Sequence, residues 1–123
     1  MIAGIVTSNL EAIVRLHVED GQGQTQAFDM KIDTGFSDFL SLPIATVKAL
    51  GLIASAQESV EIADGSTVRV DVYSTVVLWD GRPRRVDVHA LGVDRLIGMG
   101  LLAGHDLAMR IRDGGTVSIT FIP

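Results

Sequence analysis

The sequence Ile-Asp-Thr-Gly-Phe-Ser at residues 32–37 ends a stretch in which apolar and charged side chains alternate. Every second residue from Phe28 to Ile32 is apolar and the residues between them are charged, which predicts a half-buried β-strand. The strand would deliver Asp33 into a turn, where Gly35, which lacks a Cβ, lets another backbone or a ligand come close. A carboxylate at the end of a rigid strand is already positioned, which favours a catalytic role for Asp33.

The triplet Asp33-Thr34-Gly35 is short, and by average residue usage it arises by chance in roughly a few per cent of chains this long. The same residues also fit an ordinary β-turn in which the Asp side chain accepts a backbone hydrogen bond. The triplet therefore needs support from other segments.

Two other segments add to this pattern. Residues 96–102 read Leu-Ile-Gly-Met-Gly-Leu-Leu, which predicts a buried strand that runs through Gly98 into a short helix. Between the two segments, Glu61–Val68 predicts a β-hairpin with an Asp-Gly turn. Its tip would consist of Ala63, Asp64 and Gly65.

The rest of the chain is dominated by period-two patterns, which are typical of strands with one buried face. Val14, Leu16 and Val18 give the clearest of these patterns. After the hairpin we expect one strand that ends at Val72 and a further strand over Tyr73–Trp79. A short helix is expected between Pro43, which suits a first helical turn, and Gly51, which suits the end of a helix.

Taken in this order, the three segments resemble the retropepsin-like branch of the aspartic proteases, and in particular its stand-alone bacterial relatives that carry the signature once. Asp33-Thr34-Gly35 resembles the active-site signature, residues 96–102 resemble the second signature, and the hairpin takes the place of the substrate-covering flap. The resemblance spans roughly residues 13 to 122. It implies a mostly β fold, a small closed β-barrel with one or two short helices, in a single domain over residues 1–123.

The resemblance implies an aspartic endopeptidase, which hydrolyses peptide bonds with water activated between two carboxylates. Two carboxylates held close together share one proton, because both cannot ionise at once. The signature occurs only once, so the second Asp33 must come from another copy of the chain. We therefore expect a homodimer, inactive as a monomer, that acts on peptide or protein substrates without a metal or cofactor.

The resemblance also assigns roles to individual residues. Asp33 would be catalytic, and the supporting residues of the catalytic loop would be Thr34, Gly35 and Ser37. Residues of the flap and of the cleft floor would bind substrate: Phe36, Asp38, Ala63, Asp64, Gly65, Ile97 and Gly98. Asp38 fits a loop-surface charge equally well. The strand expected over residues 116–122 is a candidate dimer interface.

The chain departs from the family pattern at three positions. Phe36 replaces the small residue that usually follows the signature Gly, and a ring there would narrow the cleft or raise the carboxylate pKa by desolvation. Retropepsins pair an Asp and an Arg at the positions of Ser37 and Met99, so the dimer must be held in another way. A catalytically silent peptide-binding or dimerisation module on the same fold is therefore an alternative. A small β-barrel unrelated to proteases is a third hypothesis.

The composition of the chain limits the kinds of partner and cofactor that it is expected to bind. The net charge of −5 argues against a nucleic-acid partner, because phosphate binding needs concentrated Lys and Arg. The chain has no cysteine, and its three histidines lack the spacing of metal ligands. No apolar run reaches the roughly twenty residues that cross a bilayer. The N-terminal residues lack the basic region and continuous apolar run of a leader, since Asn9 and Glu11 interrupt them, so we expect a cytoplasmic protein without a membrane partner.

Overall fold

A computed structural model describes residues 1–123 as ten strands and two short helices. In chain order these are β1 (Ile2–Val6), β2 (Ala12–Glu19), β3 (Thr25–Ile32), β4 (Leu40–Ser41), α1 (Ile44–Leu50), β5 (Ala54–Glu61), β6 (Thr67–Trp79), β7 (Arg82–His89), β8 (Leu96–Ile97), α2 (Met99–Leu102), β9 (His105–Met109) and β10 (Thr116–Phe121). The predicted mostly β fold class with short helices is confirmed.

Six of the strands form a closed ring. Their order is β6, β7, β4, β8, β3 and β2, and β2 closes the ring by pairing with β6 at residues 17–18 and 77–78. The ring encloses a core of aliphatic side chains, among which Val14, Leu16 and Val18 project from the inner face of β2 as the period-two pattern predicts. β5 extends the sheet beyond β6 at one end, and β1, β10 and β9 extend it beyond β2 at the other.

The helix α1 begins and ends at the residues that the sequence predicts. It begins after Pro43, whose missing N–H would have no helical partner at this position, and ends at Gly51. Gly51 has φ 67°, a left-handed conformation that Gly adopts without a steric penalty. Val47 and Leu50 are buried against the core, whereas Ile44 is largely exposed.

The prediction of two separate strands after the hairpin is wrong. β6 is one continuous strand of 13 residues, which leaves the exposed hairpin and enters the ring. Along it, the buried positions change phase from Val72 to Thr75 and Val77. The phase changes where β6 leaves its pairing with β5 and enters the ring. A period-two pattern in the sequence cannot distinguish this change of neighbours from a break between two strands.

β10 is not free to pair with another chain. It lies between β1 and β9, and is hydrogen-bonded to residues 2–5 on one side and to residues 105–109 on the other. The strand predicted as a dimer interface is therefore saturated within its own chain, and β9 is the free edge at this end of the sheet. Neither helix is long and apolar enough to cross a membrane.

Candidate active site

Asp33 directly follows β3 and is fixed by its own backbone. Its N–H donates to the carbonyl of Ile97 at 2.9 Å, which continues the parallel pairing of β3 with β8. Its Oδ1 accepts the N–H of Gly35 at 2.9 Å, and its carbonyl accepts the N–H of Phe36 at 3.1 Å. Oδ2 has no hydrogen-bond partner within the chain, so one oxygen of a half-buried carboxylate remains available to water or to a second carboxylate.

Residues 33–39, which we call the aspartate loop, are braced from beneath by the start of α2. Three consecutive N–H groups donate to carbonyls of the loop: Gly98 to Phe39 at 2.9 Å, Met99 to Phe36 at 2.7 Å and Gly100 to Asp38 at 3.0 Å. Because buried backbone groups must find partners, these bonds define a single arrangement of the loop. The two segments that the sequence singles out are thus in direct contact.

Gly98 lies where no side chain fits. A Cβ at this position would come within 2.1 Å of the Asp38 carbonyl oxygen and within 2.6 Å of Phe36 Cδ2. The close approach allows the hydrogen bonds between the two segments, so Gly is required here for its lack of a Cβ and not for its backbone conformation.

The predicted site residues of the loop differ in exposure. Thr34, Gly35, Ser37 and Asp38 are exposed beside Asp33, whereas the half-buried Phe36 ring packs on Gly98.

The assignment of Ile97 to substrate binding needs correction, because its side chain is 0% exposed and belongs to the core. Gly98 is also buried beneath the loop. Both residues therefore support the floor from below and do not line it.

Ala63, Asp64 and Gly65 lie at the tip of the β5–β6 hairpin, as predicted. The tip closes with a bond from the Ile62 N–H to the Ser66 carbonyl, and Asp64 accepts hydrogen bonds from the Ser66 hydroxyl and N–H. The Ser66 hydroxyl, followed by its N–H, lowers the pKa of the exposed Asp64 carboxyl. No hydrogen bond joins the tip to Asp33.

One face of the hairpin is apolar although nothing in the chain covers it. Val60 and Val68 are cross-strand partners on this face and are 36% and 41% exposed. Glu58 lies on the same face, because side chains two residues apart along a strand point to the same side. Glu58 contacts His89 near the aspartate loop, so the apolar face turns toward the side of the molecule that holds the loop.

Thr34 borders a cavity of about 250 Å³ that Ile32 also lines. Apolar side chains contribute much of its lining, among them Leu10, Ile32, Met109 and Ile111. Leu10 and Ile111 are strongly exposed, and Leu10 adopts a left-handed backbone conformation with φ 60°. The ammonium of Lys31 closes one side by donating to Glu11 at 2.8 Å, and this hydrogen bond raises the pKa of Lys31.

His89 is a residue that the sequence reasoning set aside. It is 3% exposed, and its Nε2 lies 3.1 Å from Glu58 Oε2 and 3.8 Å from Asp38 Oδ2. The Phe36 ring meets it edge-on, with the ring centroids 6.3 Å apart. No sequence signal identifies this cluster, because its members are distant in sequence and His89 is a single histidine at the end of a strand.

Comparison with solved structures gives an informative similarity, whereas comparison of sequences gives none. No protein-family model matches the chain, and no curated protein matches it. The crystal structure of a retropepsin-like aspartic protease from Rickettsia conorii matches with a TM-score of 0.62 at 16% sequence identity. The match covers 99% of this chain and 91% of that protein. At this identity the similarity establishes the fold alone: the chain adopts the fold of a retropepsin-like aspartic protease.

Proposed function

We propose that the chain is a single-domain half-enzyme that dimerises into an aspartic endopeptidase, with Asp33 of each copy forming the catalytic pair. The observation that carries this proposal is the aspartate loop itself. It fixes one carboxylate oxygen, leaves the other without a partner, and is braced by Gly98 and Gly100, in a fold that matches an aspartic protease along nearly the whole chain.

The reaction needs two carboxylates in different protonation states. The ionised carboxylate takes a proton from water, and the protonated one donates a hydrogen bond to the scissile carbonyl as water attacks its carbon. The proximity of the two carboxylates produces this difference in protonation. Two negative charges in contact repel each other, so both groups cannot be ionised at once and the pair shares one proton. In each Asp33, the N–H of Gly35 would hold Oδ1 while Oδ2 faces the water.

The dimer would be isologous, with the same surface of each copy around the twofold axis. The sequence neighbours of Asp33, Ile32 and Thr34, line the Thr34 cavity. The exposed apolar side chains of Leu10 and Ile111 in its lining are suited to burial against the same surface of the other copy. Both edges of β10 are already paired, so backbone pairing through this strand would not hold the two copies together.

The substrate class is an extended peptide or protein segment with apolar side chains. The exposed valines of the β5–β6 hairpin, Val60 and Val68, would cover such side chains from above while the aspartate loop lies below. An extended peptide presents alternate side chains to the two sides, and backbone hydrogen bonds can hold it without a specific sequence. Closure of the hairpin would exclude water from the bond being cut.

The test is cleavage of a diverse peptide mixture between about pH 4 and 7, over a range of protein concentrations. We expect the initial rate to rise more steeply than linearly with concentration, because two copies make one site. Asp33→Asn should abolish the cuts, whereas Asp29→Asn, the same chemical change on the exposed face of β3, should retain them. Cleavage that survives Asp33→Asn would exclude the proposal.

A catalytically silent peptide-binding module is the second candidate. The absence of a charged pair at Ser37 and Met99, and the Phe36 ring packed on Gly98, favour it. This candidate predicts no cleavage by either protein, together with peptide binding that Asp33→Asn leaves unchanged.

A further inference from the structure

His89 connects two parts of the molecule that have no other side-chain link. We propose that His89 is a positioning residue, which ties the base of the β5–β6 hairpin to the aspartate loop through Glu58 and Asp38. The inference deepens the proposed function, on which its catalytic consequence rests. It makes His89 the group that sets how the covering hairpin sits over the loop that carries Asp33.

The hairpin side depends on one hydrogen bond. Every residue of β5 is exposed, so no buried side chain fixes the strand to the body of the protein. The other side-chain hydrogen bonds of β5, from Ser55 and Gln57, reach only β6 within the same hairpin. The bond between Glu58 and His89 is the one side-chain hydrogen bond of β5 that leaves the hairpin, because His89 belongs to β7.

The loop side involves two neighbours of Asp33 in sequence. The carboxylate of Asp38 lies 3.8 Å from the same Nε2 that Glu58 approaches, and the Phe36 ring packs edge-on against the imidazole. The carbonyls of both loop residues accept the N–H groups that brace the loop. A displacement of His89 would therefore disturb the hydrogen bonds that anchor the aspartate loop.

The burial of the His89 ring determines which of its nitrogens carries the hydrogen. The ring is almost completely buried, and its Nδ1 has no hydrogen-bond partner. A buried N–H without an acceptor costs more than a bare ring nitrogen, so the tautomer with its hydrogen on Nε2 is favoured. In that form Nε2 donates to the carboxylate of Glu58, and the hydrogen bond gains strength from the charge of the acceptor.

The test is hydrogen exchange of the backbone amides that anchor the loop, read at Met99, whose N–H bonds to the Phe36 carbonyl. Glu58→Ala removes a half-exposed side chain twenty residues from the loop, and should speed this exchange about fivefold, the effect of losing one hydrogen bond. Glu61→Ala, on the same strand but without a contact to His89, is the matched control and should leave the exchange unchanged.

Catalysis gives the second measurement. Glu58→Ala and His89→Leu should each reduce kcat/KM about fivefold, and the double variant should be no slower than the slower single variant, because both remove the same bond. His89→Gln, which keeps an N–H donor, should recover part of the loss. The recovery separates positioning from mere occupation of space, since Leu also fills the site.

Each outcome decides one of the two proposals. Equal exchange at Met99 in Glu58→Ala and Glu61→Ala would overturn the link, as would additive losses in the double variant. If His89→Leu fails to fold, Glu58→Ala still decides, because Glu58 is half exposed. If the protein without substitutions cuts no peptide, the proposed function is excluded. The hydrogen-exchange measurement then tests the His89 link by itself.

Discussion

The aspartate loop and the β5–β6 hairpin differ in how the chain holds them. The loop is tied to α2 by three backbone hydrogen bonds, over a glycine with no room for a methyl group. The outer part of the hairpin is held by its own ladder and one bond through Glu58, and β5 is exposed along its whole length. One region is fixed from below, whereas the other depends on one side-chain hydrogen bond to the rest of the protein.

This difference matches what the two regions would do in the proposed enzyme. A catalytic carboxylate must stay within a fraction of an ångström of its productive position, and a covering element must open and close for each substrate. Regions with few buried contacts open locally at low cost, whereas braced regions open at a higher cost. Substitutions in the loop should therefore act on stability, and substitutions in the hairpin should act on binding.

The largest effect should come from Gly98→Ala. The added methyl group would lie 2.1 Å from the Asp38 carbonyl oxygen, so the loop or α2 must move. We expect a loss of about 3 kcal/mol in the free energy of unfolding, measured by urea denaturation.

Gly100→Ala provides a graded control for that experiment. Its methyl group would meet the carbonyl of Asp38 at 3.0 Å, a looser contact, and Ala favours helix over Gly. The loss should stay below about 1 kcal/mol. If Gly98→Ala is as stable as Gly100→Ala, the loop is not braced as described.

An intermediate effect is expected from Val60→Thr on the apolar face of the hairpin. The substitution keeps the shape and replaces a methyl with a hydroxyl, so KM for apolar peptides should rise about threefold. The free energy of unfolding should change by less than about 0.5 kcal/mol, because Val60 is exposed. Glu61→Ala on the opposite face should leave KM unaltered, and a matching rise in KM there would refute the assignment of faces.

The smallest effect concerns the hairpin tip. Ser66→Ala removes the hydroxyl that lowers the pKa of Asp64, so that pKa should rise toward its ordinary value in a carboxyl NMR titration. A lowered pKa in the folded state adds stability above the ordinary value, and that stability is lost as the pH falls through the folded value. The tip should thus loosen below about pH 4, and less so in the variant. Ser59→Ala, away from the tip, should leave the Asp64 titration unchanged.

Much of the fixed region could be predicted from local sequence. Alternation identified β2 and β3, the Pro43 and Gly51 pair bounded α1, and the two glycine-containing segments pointed to Asp33 and Gly98. Exposure was harder to predict. Ile97 was assigned to substrate binding together with Gly98, yet its side chain is buried in the core.

The contacts between the two regions could not be predicted. Glu58 and His89 are 31 residues apart and meet only because β6 crosses from the hairpin into the ring. A lone histidine at the end of a strand has no spacing to other residues that indicates a partner. The continuity of β6 was missed for a related reason, because a change of surroundings and a turn leave the same break in an alternating pattern.

The placement of β10 has a consequence for how the proposed enzyme would be controlled. With both edges paired inside its own chain, β10 needs no second copy to complete its hydrogen bonds. Two copies would join and separate without breaking the pairing of this strand. The concentration of the protein would then decide how much of it is active, because a single copy carries only one Asp33. Dilution would separate the active dimer into inactive single copies that can associate again.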